Sequence, residues 1–278
     1  MPYVDVPDPT SRRFYYEDTG GGGPVIVFSH GFMMDHEMFA PQVAALRANY
    51  RCITWDQRGH GLTAARRLSP FRFYDAANDL SDFIDAIGLP PAVLVGMSQG
   101  GFLTLRTALS NPDAVVGLIL IDTEAGVMSQ EQIKGNEALL SAWIANGFSQ
   151  GLGEAIANQI IGPGDGQPLW PGAQAWIDKW SQDLLVNLIP SFNALIDRLD
   201  VTSIVGAIKQ PALVIHGSVD KSIDPTMGQA LAAALGDAAF QLIEGAGHAS
   251  NLTHPDQVNP IIQAFLTSLE MLPPPSKG

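Results

Sequence analysis

The sequence predicts an α/β fold: a mostly parallel central sheet flanked by helices, with an inserted helical cap. Short apolar runs that resemble buried strands alternate with helix-like segments, and this alternation is typical of a parallel sheet covered on both faces. A glycine-containing turn at 96–100 joins one such strand directly to a helix. Between 126 and 206 the alternation stops, and the chain is helix-like without a clear buried strand.

The elements are predicted in chain order as follows. An early edge strand is expected at 13–18, before a glycine-rich turn at 20–23. Mostly apolar runs predict buried strands, at 25–28, 51–55, 92–95, 115–121, 211–215 and 240–243. Apolar residues at helical spacing predict helices, at 38–49, 75–87 and 102–109.

The interruption at 126–206 divides the chain. It holds four of the five tryptophans, Trp143, Trp170, Trp176 and Trp180. We expect residues 1–125 and 207–278 to form the α/β core and residues 126–206 to form a helical cap, or lid, inserted between two core strands.

Composition limits the function classes. With 278 residues the chain is long enough for one large domain or for a core with an inserted subdomain. Its formal net charge of −13 argues against nucleic acid and anionic membranes as partners. Cys52 is the single cysteine, so no intramolecular disulfide can form, and we expect it to be buried in its strand. No signal peptide or spanning apolar segment is visible, so we expect a cytoplasmic protein.

The segment Gly96-Met97-Ser98-Gln99-Gly100 has the pattern Gly-x-Ser-x-Gly between a strand and a helix. This is the sequence form of a nucleophile elbow. The turn is so tight that its neighbours need to lack side chains, which Gly96 and Gly100 satisfy. Ser98 is therefore the predicted nucleophile.

A serine needs a base, and the base needs an orienting acid, in the chain order Ser, Asp or Glu, His for this architecture. Asp220 follows the strand at 211–215, and His248 follows the strand at 240–243. Because parallel strands end at one edge of a sheet, we expect Ser98, Asp220 and His248 to meet there.

Alternatives remain for the acid. Asp122 and Glu124 follow the strand at 115–121, and Asp122 is the alternative acid. Asp224 precedes Pro225 and is expected to cap a helix instead.

Other site classes find less support. The sequence has six histidines but no His-x-x-x-His, Cys pair or His-Glu-x-x-His, so no metal site is predicted. The glycines at 20–23 precede a strand, which is the wrong place for a dinucleotide phosphate. We expect no cofactor.

Four motifs in order make a family resemblance specific: Ser29-His30-Gly31-Phe32, Asp56-Gln57-Arg58-Gly59-His60-Gly61, the elbow, and the Asp220 and His248 loops. The chain resembles the α/β-hydrolase superfamily, in its branch of small bacterial serine esterases, enol-lactonases and cofactor-free perhydrolases. The resemblance covers the chain from about Tyr15 to Leu269.

The resemblance implies an α/β-hydrolase fold and an oxyanion hole made of two backbone N–H groups. Gln99 opens the helix after the elbow and should supply one donor. Phe32 should supply the second, as its position does in the resembled family. Five apolar side chains are expected to line the substrate pocket: Met33, Met97, Trp143, Trp176 and Trp180.

The predicted function is hydrolysis of a carboxylic ester or lactone of a hydrophobic small molecule through an acyl-enzyme. A cofactor-free perhydrolase or haloperoxidase and a carbon–carbon bond hydrolase would use the same triad, so both stay open. A non-catalytic small-molecule receptor is disfavoured by the intact set of Ser98, Asp220 and His248. The oligomeric state is not determined by the sequence, and a homodimer is one option.

Overall fold

The computed structural model describes residues 3–6, 12–63, 68–162, 168–182, 185–236 and 238–270. Its centre is an eight-stranded sheet in the order β1-β2-β4-β3-β5-β6-β7-β8. The strands are β1 (Tyr3–Val6), β2 (Arg12–Asp18), β3 (Val25–Ser29), β4 (Arg51–Trp55), β5 (Ala92–Met97), β6 (Val115–Ile121), β7 (Ala212–Gly217) and β8 (Ala239–Ile243). β2 pairs antiparallel with β1 and with β4, and the pairs from β4 to β8 are parallel.

Helices connect these strands. The α-helices are α1 (Ala40–Leu46), α2 (Phe73–Ala86), α3 (Gln99–Ser110), α4 (Gln130–Asn146), α5 (Gln150–Ile160), α6 (Ala173–Trp180), α7 (Leu185–Ile196), α8 (Pro225–Leu235), α9 (Ser250–Thr253) and α10 (Pro255–Glu270). Short 3₁₀ helices lie at His36–Phe39, Gly61–Thr63, Pro112–Ala114 and Val205–Ala207.

The central strands of the sheet are buried on both faces. Successive side chains of a strand point to opposite faces, so each central strand contributes to two cores. In β5, Leu94 packs in one hydrophobic cluster, while Val93 and Val95 pack in the other. The six residues of β5 are all buried, as expected for a strand with helices above and below it. The predicted mostly parallel sheet flanked by helices is confirmed.

The interruption predicted from sequence coincides with α4 to α7, which lie in the chain between β6 and β7. Among the described residues of 126–206, no strand is present. The division into a core of 1–125 and 207–278 and a cap of 126–206 remains our prediction.

Two details differ from the sequence predictions. The strand expected at the sheet edge, 13–18, is β2 and is covered by β1 on its outer side. The strand predicted at 211–215 continues to Gly217, so His216 belongs to β7 rather than to the loop after it. Cys52 is buried, as predicted.

Candidate active site

Ser98 lies in the turn between β5 and α3 with φ 50° and ψ −115°, a strained conformation for a residue with a side chain. The turn can form because Gly96 and Gly100 have no side chains. A Cβ on Gly96 would lie 2.4 Å from the carbonyl oxygen of Gly100, and a Cβ on Gly100 would lie 1.9 Å from that of Ser29. Side chains at either position are therefore excluded by backbone atoms that cannot move aside.

The described structure joins the three predicted catalytic side chains in one hydrogen-bonded chain. Nε2 of His248 lies 2.9 Å from Oγ of Ser98, and Nδ1 of His248 lies 2.7 Å from Oδ2 of Asp220. Ser98, Asp220 and His248 follow β5, β7 and β8, whose carboxyl ends lie at the same edge of the sheet. The imidazole thus bridges a hydroxyl and a carboxylate, which is the arrangement needed to activate a serine.

Asp220 is held on both of its oxygens. Oδ1 accepts hydrogen bonds from the backbone N–H groups of Ser222 and Ile223, at 2.8 and 3.0 Å. Burial alone would raise the pKa of Asp220, but the charges and hydrogen bonds of His248 and His216 outweigh it and hold the pKa well below its usual value. Asp220 is therefore a permanent anion at neutral pH.

The pKa of His248 responds in the opposite direction. Burial alone would lower it, but the negative charge of Asp220 and the hydrogen bond to it raise the pKa above the ordinary value of 6.5. The carboxylate thus stabilises the imidazolium that forms when His248 accepts a proton.

A second histidine contacts the same carboxylate, which the sequence analysis did not foresee. Nε2 of His216 lies 3.1 Å from Oδ2 of Asp220 and 3.0 Å from the carbonyl oxygen of Ile223. The spacing of four residues between His216 and Asp220, across the end of a strand, is the only sequence signal of this contact.

Asp122, the alternative acid, occupies a different place. It directly follows β6 with φ 48° and is fully buried. Its two oxygens accept hydrogen bonds from the backbone N–H groups of Gly217 and Ser250. Burial raises the pKa of Asp122 to about 6. The hydrogen bond of His248 goes to Asp220, so the geometry favours Asp220 as the orienting acid.

The other acids also have partners. Glu124 accepts a hydrogen bond from Arg198 at 2.8 Å, and both side chains are buried. Asp224 accepts from the backbone N–H of Thr226 at the start of α8, the predicted helix cap.

Metal-ligating residue types cluster at one point. Nitrogen and oxygen atoms of Asp122, His216 and Asp220 lie within 4.8 Å of one another. The carboxylate oxygens of Asp122 and Asp220 accept the backbone and histidine hydrogen bonds described above, so these oxygens already have hydrogen-bond partners.

The two predicted oxyanion donors flank Ser98. Gln99 is the first residue of α3, where backbone N–H groups have no partner within the helix. Phe32 follows β3 in a turn that is closed by a hydrogen bond from the N–H of Met34 to the carbonyl oxygen of Gly31, and Met33 has φ 62°. Phe32 and Ser98 line the same cavity.

A cavity of about 130 Å³ opens from Ser98 and His248 toward α4, α5 and α7. Its walls are mainly apolar and include Phe32, Met33, Phe102, Leu139, Leu140, Trp143, Ile156, Leu188 and Phe192. The buried pair of Glu124 and Arg198 forms part of the wall, a feature that the sequence analysis missed. Its only signal was Arg198 itself, in the segment Asn193 to Val201, which also contains Asp197 and Asp200.

Of the five predicted pocket residues, Met33 and Trp143 line this cavity, whereas the other three do not. Met97 packs against the turn that carries Phe32, with its sulfur 2.8 Å from the position of a Cβ on Gly31. Trp176 and Trp180 line a separate cavity of about 30 Å³. Trp180 is directed there because its Nε1–H donates to the carbonyl oxygen of Met33, at 2.7 Å.

No helix within the described ranges has the length and apolar character required to cross a membrane.

The parallel sheet, the elbow and the Ser98–His248–Asp220 geometry define an α/β hydrolase. The chain belongs to the alpha/beta hydrolase family, whose sequence model matches residues 26–261.

A relative from Synechocystis sp. named as a non-heme chloroperoxidase is 30% identical, over 96% of this chain and 100% of the relative. The 3-oxoadipate enol-lactonase 1 of Acinetobacter baylyi is 27% identical, over 89% and 90% of the two chains. The crystal structure of an enol-lactonase from Burkholderia xenovorans superposes with a TM-score of 0.82 at 26% identity, covering 92% of this chain and 96% of that one. Family and relatives together support a hydrolase.

Proposed function

We propose that this protein is a serine hydrolase that cleaves a carboxylic ester or a lactone of a hydrophobic small molecule. The observation that carries the proposal is the hydrogen-bonded chain from Ser98 through His248 to Asp220, which opens onto an apolar cavity. Its position at the carboxyl ends of parallel strands is where open α/β sheets hold their substrates.

In the first half-reaction, Oγ of Ser98 attacks the carbonyl carbon of the substrate while Nε2 of His248 takes the hydroxyl proton. The carbonyl oxygen becomes an oxyanion, to which the N–H groups of Phe32 and Gln99 donate. The tetrahedral intermediate then collapses. The bond to the leaving oxygen breaks, His248 returns the proton to that oxygen, and the acyl group stays on Ser98.

In the second half-reaction, water replaces the alcohol. His248 takes a proton from the water, whose oxygen attacks the acyl carbon, and the same two N–H groups stabilise the second oxyanion. Collapse releases a carboxylic acid and returns the proton to Ser98. When the substrate is a lactone, the product is a hydroxy acid or its keto form, because the leaving oxygen is still tethered to the acyl group.

The cavity supports a small, largely apolar substrate. An apolar cavity of about 150 Å³ holds benzene, so a cavity of about 130 Å³ fits a ring or a short chain of roughly six carbons. The relatives named enol-lactonases support a lactone as one form of the substrate. A ring closed through the scissile ester would suit such an enclosed space.

The test is hydrolysis of para-nitrophenyl esters from acetate to octanoate, beside a panel of small lactones, by the wild type and Ser98→Ala. We expect wild-type turnover that peaks at medium chain length. Ser98→Ala should retain at most the residual about 10³–10⁴-fold acceleration over water that binding and oxyanion donors provide. Turnover that survives in Ser98→Ala would refute the proposal.

A perhydrolase is the second candidate, favoured by the relative named as a chloroperoxidase. Hydrogen peroxide would then attack the acyl-enzyme in place of water and release a peracid. The peracid would oxidise a halide ion to hypohalous acid and return to the carboxylic acid. The test is bromination of a phenolic dye with peroxide, bromide and acetate, with Ser98→Ala as the control. Bromination that requires Ser98 would support this second activity.

A further inference from the structure

The motif Asp56-Gln57-Arg58-Gly59-His60-Gly61 follows β4 and takes no part in the proposed triad. Within it, Gln57 is 1% exposed and contacts both predicted oxyanion segments. Its side-chain Nε2–H donates to the backbone oxygen of His30 at 2.5 Å, and its backbone N–H donates to Nε2 of the His30 ring at 3.0 Å. Its Oε1 accepts from Nε2 of Gln99 at 2.9 Å.

The hydrogen-bond partners fix the direction of both amides. A backbone oxygen can only accept, so the NH₂ group of Gln57 faces His30 and its Oε1 faces Gln99. Gln99 must then present its own NH₂ group to Gln57. This leaves Oε1 of Gln99 buried with no hydrogen-bond partner among the described residues. A buried acceptor without a partner is unfavourable, so the bridge to Gln57 is kept at a cost to stability.

On one side, the contact with His30 sets the peptide that carries Phe32. Burial lowers the pKa of His30 to about 3, so the ring is neutral. Its Nε2 accepts from the backbone N–H of Gln57, so Nδ1 carries the hydrogen and donates to the carbonyl oxygen of Gly31 at 2.8 Å. The side-chain amide of Gln57 holds the preceding peptide through the carbonyl oxygen of His30. The carbonyl oxygen of Gly31 and the N–H of Phe32 belong to one planar trans peptide and point in opposite directions. Holding the oxygen therefore aims the N–H.

On the other side, the N–H of Gln99 shares a peptide plane with the carbonyl oxygen of Ser98. This oxygen accepts from the N–H groups of Gly101 and Phe102, at 2.9 and 3.1 Å, and from Oγ1 of Thr123 at 2.9 Å. The helix start thus fixes the plane, and the bridge to Gln57 fixes the side chain of the same residue.

We infer that Gln57 is a positioning residue that holds the two oxyanion donors at one separation. The inference rests on the proposed function, because it concerns the oxyanion hole of that reaction. The side-chain amide of Gln57 joins the turn after β3 to the first residue of α3. No other side-chain hydrogen bond found in the described ranges joins these two segments. Two donors must converge on one oxygen, so a shift of either one weakens binding of the transition state more than binding of the substrate.

The test is Gln57→Met, which keeps the length of the side chain and removes its amide. Loss of a whole oxyanion donor costs about 10²–10³-fold in kcat. We expect misalignment to cost less, about 10–100-fold in kcat, with KM within about threefold of the wild-type value. The affinity for an alkyl boronic acid, which forms a tetrahedral adduct on Ser98, should fall by the same factor as kcat/KM.

Gln42→Met is the matched control. Gln42 is fully buried and its amide donates to the backbone oxygen of Asn251 and to Oδ1 of Asn259, both at 2.8 Å, so it bridges α1 to α9 and α10. It should lower Tm while kcat and boronic acid affinity stay within about twofold of wild type. Each variant is also labelled to completion with a phosphonate that reacts with Ser98, so that kcat is calculated per intact site. If Gln57→Met does not fold, Gln57→Glu keeps the acceptor for Gln99, loses the donor to His30, and should show the same losses.

A Gln57 variant with kcat and boronic acid affinity within about twofold of wild type would overturn the inference. So would a loss confined to Tm, as in the Gln42 control. Ser98→Ala distinguishes a failure of the positioning role from a failure of the proposed function. If it is inactive and the Gln57 variants behave as wild type, only the positioning role fails. If Ser98→Ala retains activity, the proposed function fails and the inference fails with it.

Discussion

The carboxylate of Asp122 accepts a hydrogen bond from the backbone N–H of Ser250, with Oδ2 and N 2.8 Å apart. Its Oδ1 accepts from the N–H of Gly217, also at 2.8 Å. Asp122 therefore ties the end of β7, three residues before Asp220, to the segment two residues after His248. It connects the loop that carries Asp220 to the loop that carries His248, while the imidazole of His248 forms its hydrogen bond with Asp220.

The two aspartates should consequently fail in different ways. Asp220→Asn should lower kcat by about 10⁴-fold, because the amide favours the wrong imidazole tautomer and removes the negative charge. Asp122→Asn should lose less activity and more stability, since an amide NH₂ would face one of two backbone donors and leave it unpaired. Ester hydrolysis and Tm of both variants check this. A loss of kcat in Asp122→Asn that equals or exceeds the loss in Asp220→Asn would contradict it.

Activity should rise with pH through the pKa of His248. The base must be neutral to accept the proton of Ser98, and Asp220 raises the pKa of His248 above 6.5 despite its burial. The acidic limb of kcat/KM, which reports the free enzyme, should thus have its midpoint above pH 6.5. NMR titration of His248 in Asp220→Asn should show a lower pKa than in the wild type. An unchanged pKa would remove Asp220 as the source of the shift.

Gly100→Ala should prevent the elbow from forming. The new Cβ would meet the backbone oxygen of Ser29 at 1.9 Å, and neither segment can yield without breaking the sheet. We expect destabilisation of at least about 4 kcal/mol in urea unfolding. Gly135→Ala is the control, because nothing lies within 4 Å of its Cβ position in α4, and it should stabilise by up to about 1 kcal/mol. Equal stability of the two variants would disprove the steric argument.

Trp143→Ala should change substrate size preference, because Trp143 lines the cavity at Ser98 and is buried there. We expect the para-nitrophenyl ester series to shift toward longer acyl chains, by about tenfold in relative kcat/KM for octanoate against butyrate. Trp176→Ala should leave the ratio unchanged, since Trp176 lines the smaller cavity. A shift in both variants would mean that the two cavities act as one.

Much of the fold could be predicted because its signals are local. A strand buried on both faces needs a largely apolar run, and such runs mark β3 to β7 in the sequence. β1 was missed because it is a short strand with mostly exposed side chains and so carries no such run. The elbow was predictable for a steric reason, since its turn requires small residues at 96 and 100.

The sequence predicted the members of the candidate site and only part of their contacts. The sequence placed Ser98, Asp220 and His248 after strands, and a parallel sheet brings such positions to one edge. It favoured Asp220 and kept Asp122 as the alternative acid, because both follow neighbouring strands. The structure distinguishes the two by their distance from the strand end. Asp220 lies three residues beyond β7 and forms a hydrogen bond with His248, whereas Asp122 directly follows β6 and accepts from backbone N–H groups.

The sequence by itself determined the strand–helix alternation, the elbow turn at Ser98, and the chain order of the proposed nucleophile, acid and base, because each depends on neighbouring residues and on steric limits of the backbone. Only the tertiary structure decided which aspartate meets His248, which aromatic side chains reach the cavity, and that Gln57 links the segments of Phe32 and Gln99. Those are contacts between separate segments, 28 residues apart for Asp220 and His248 and 42 residues apart for Gln57 and Gln99. They follow from how the layers pack, which no local pattern of residues encodes.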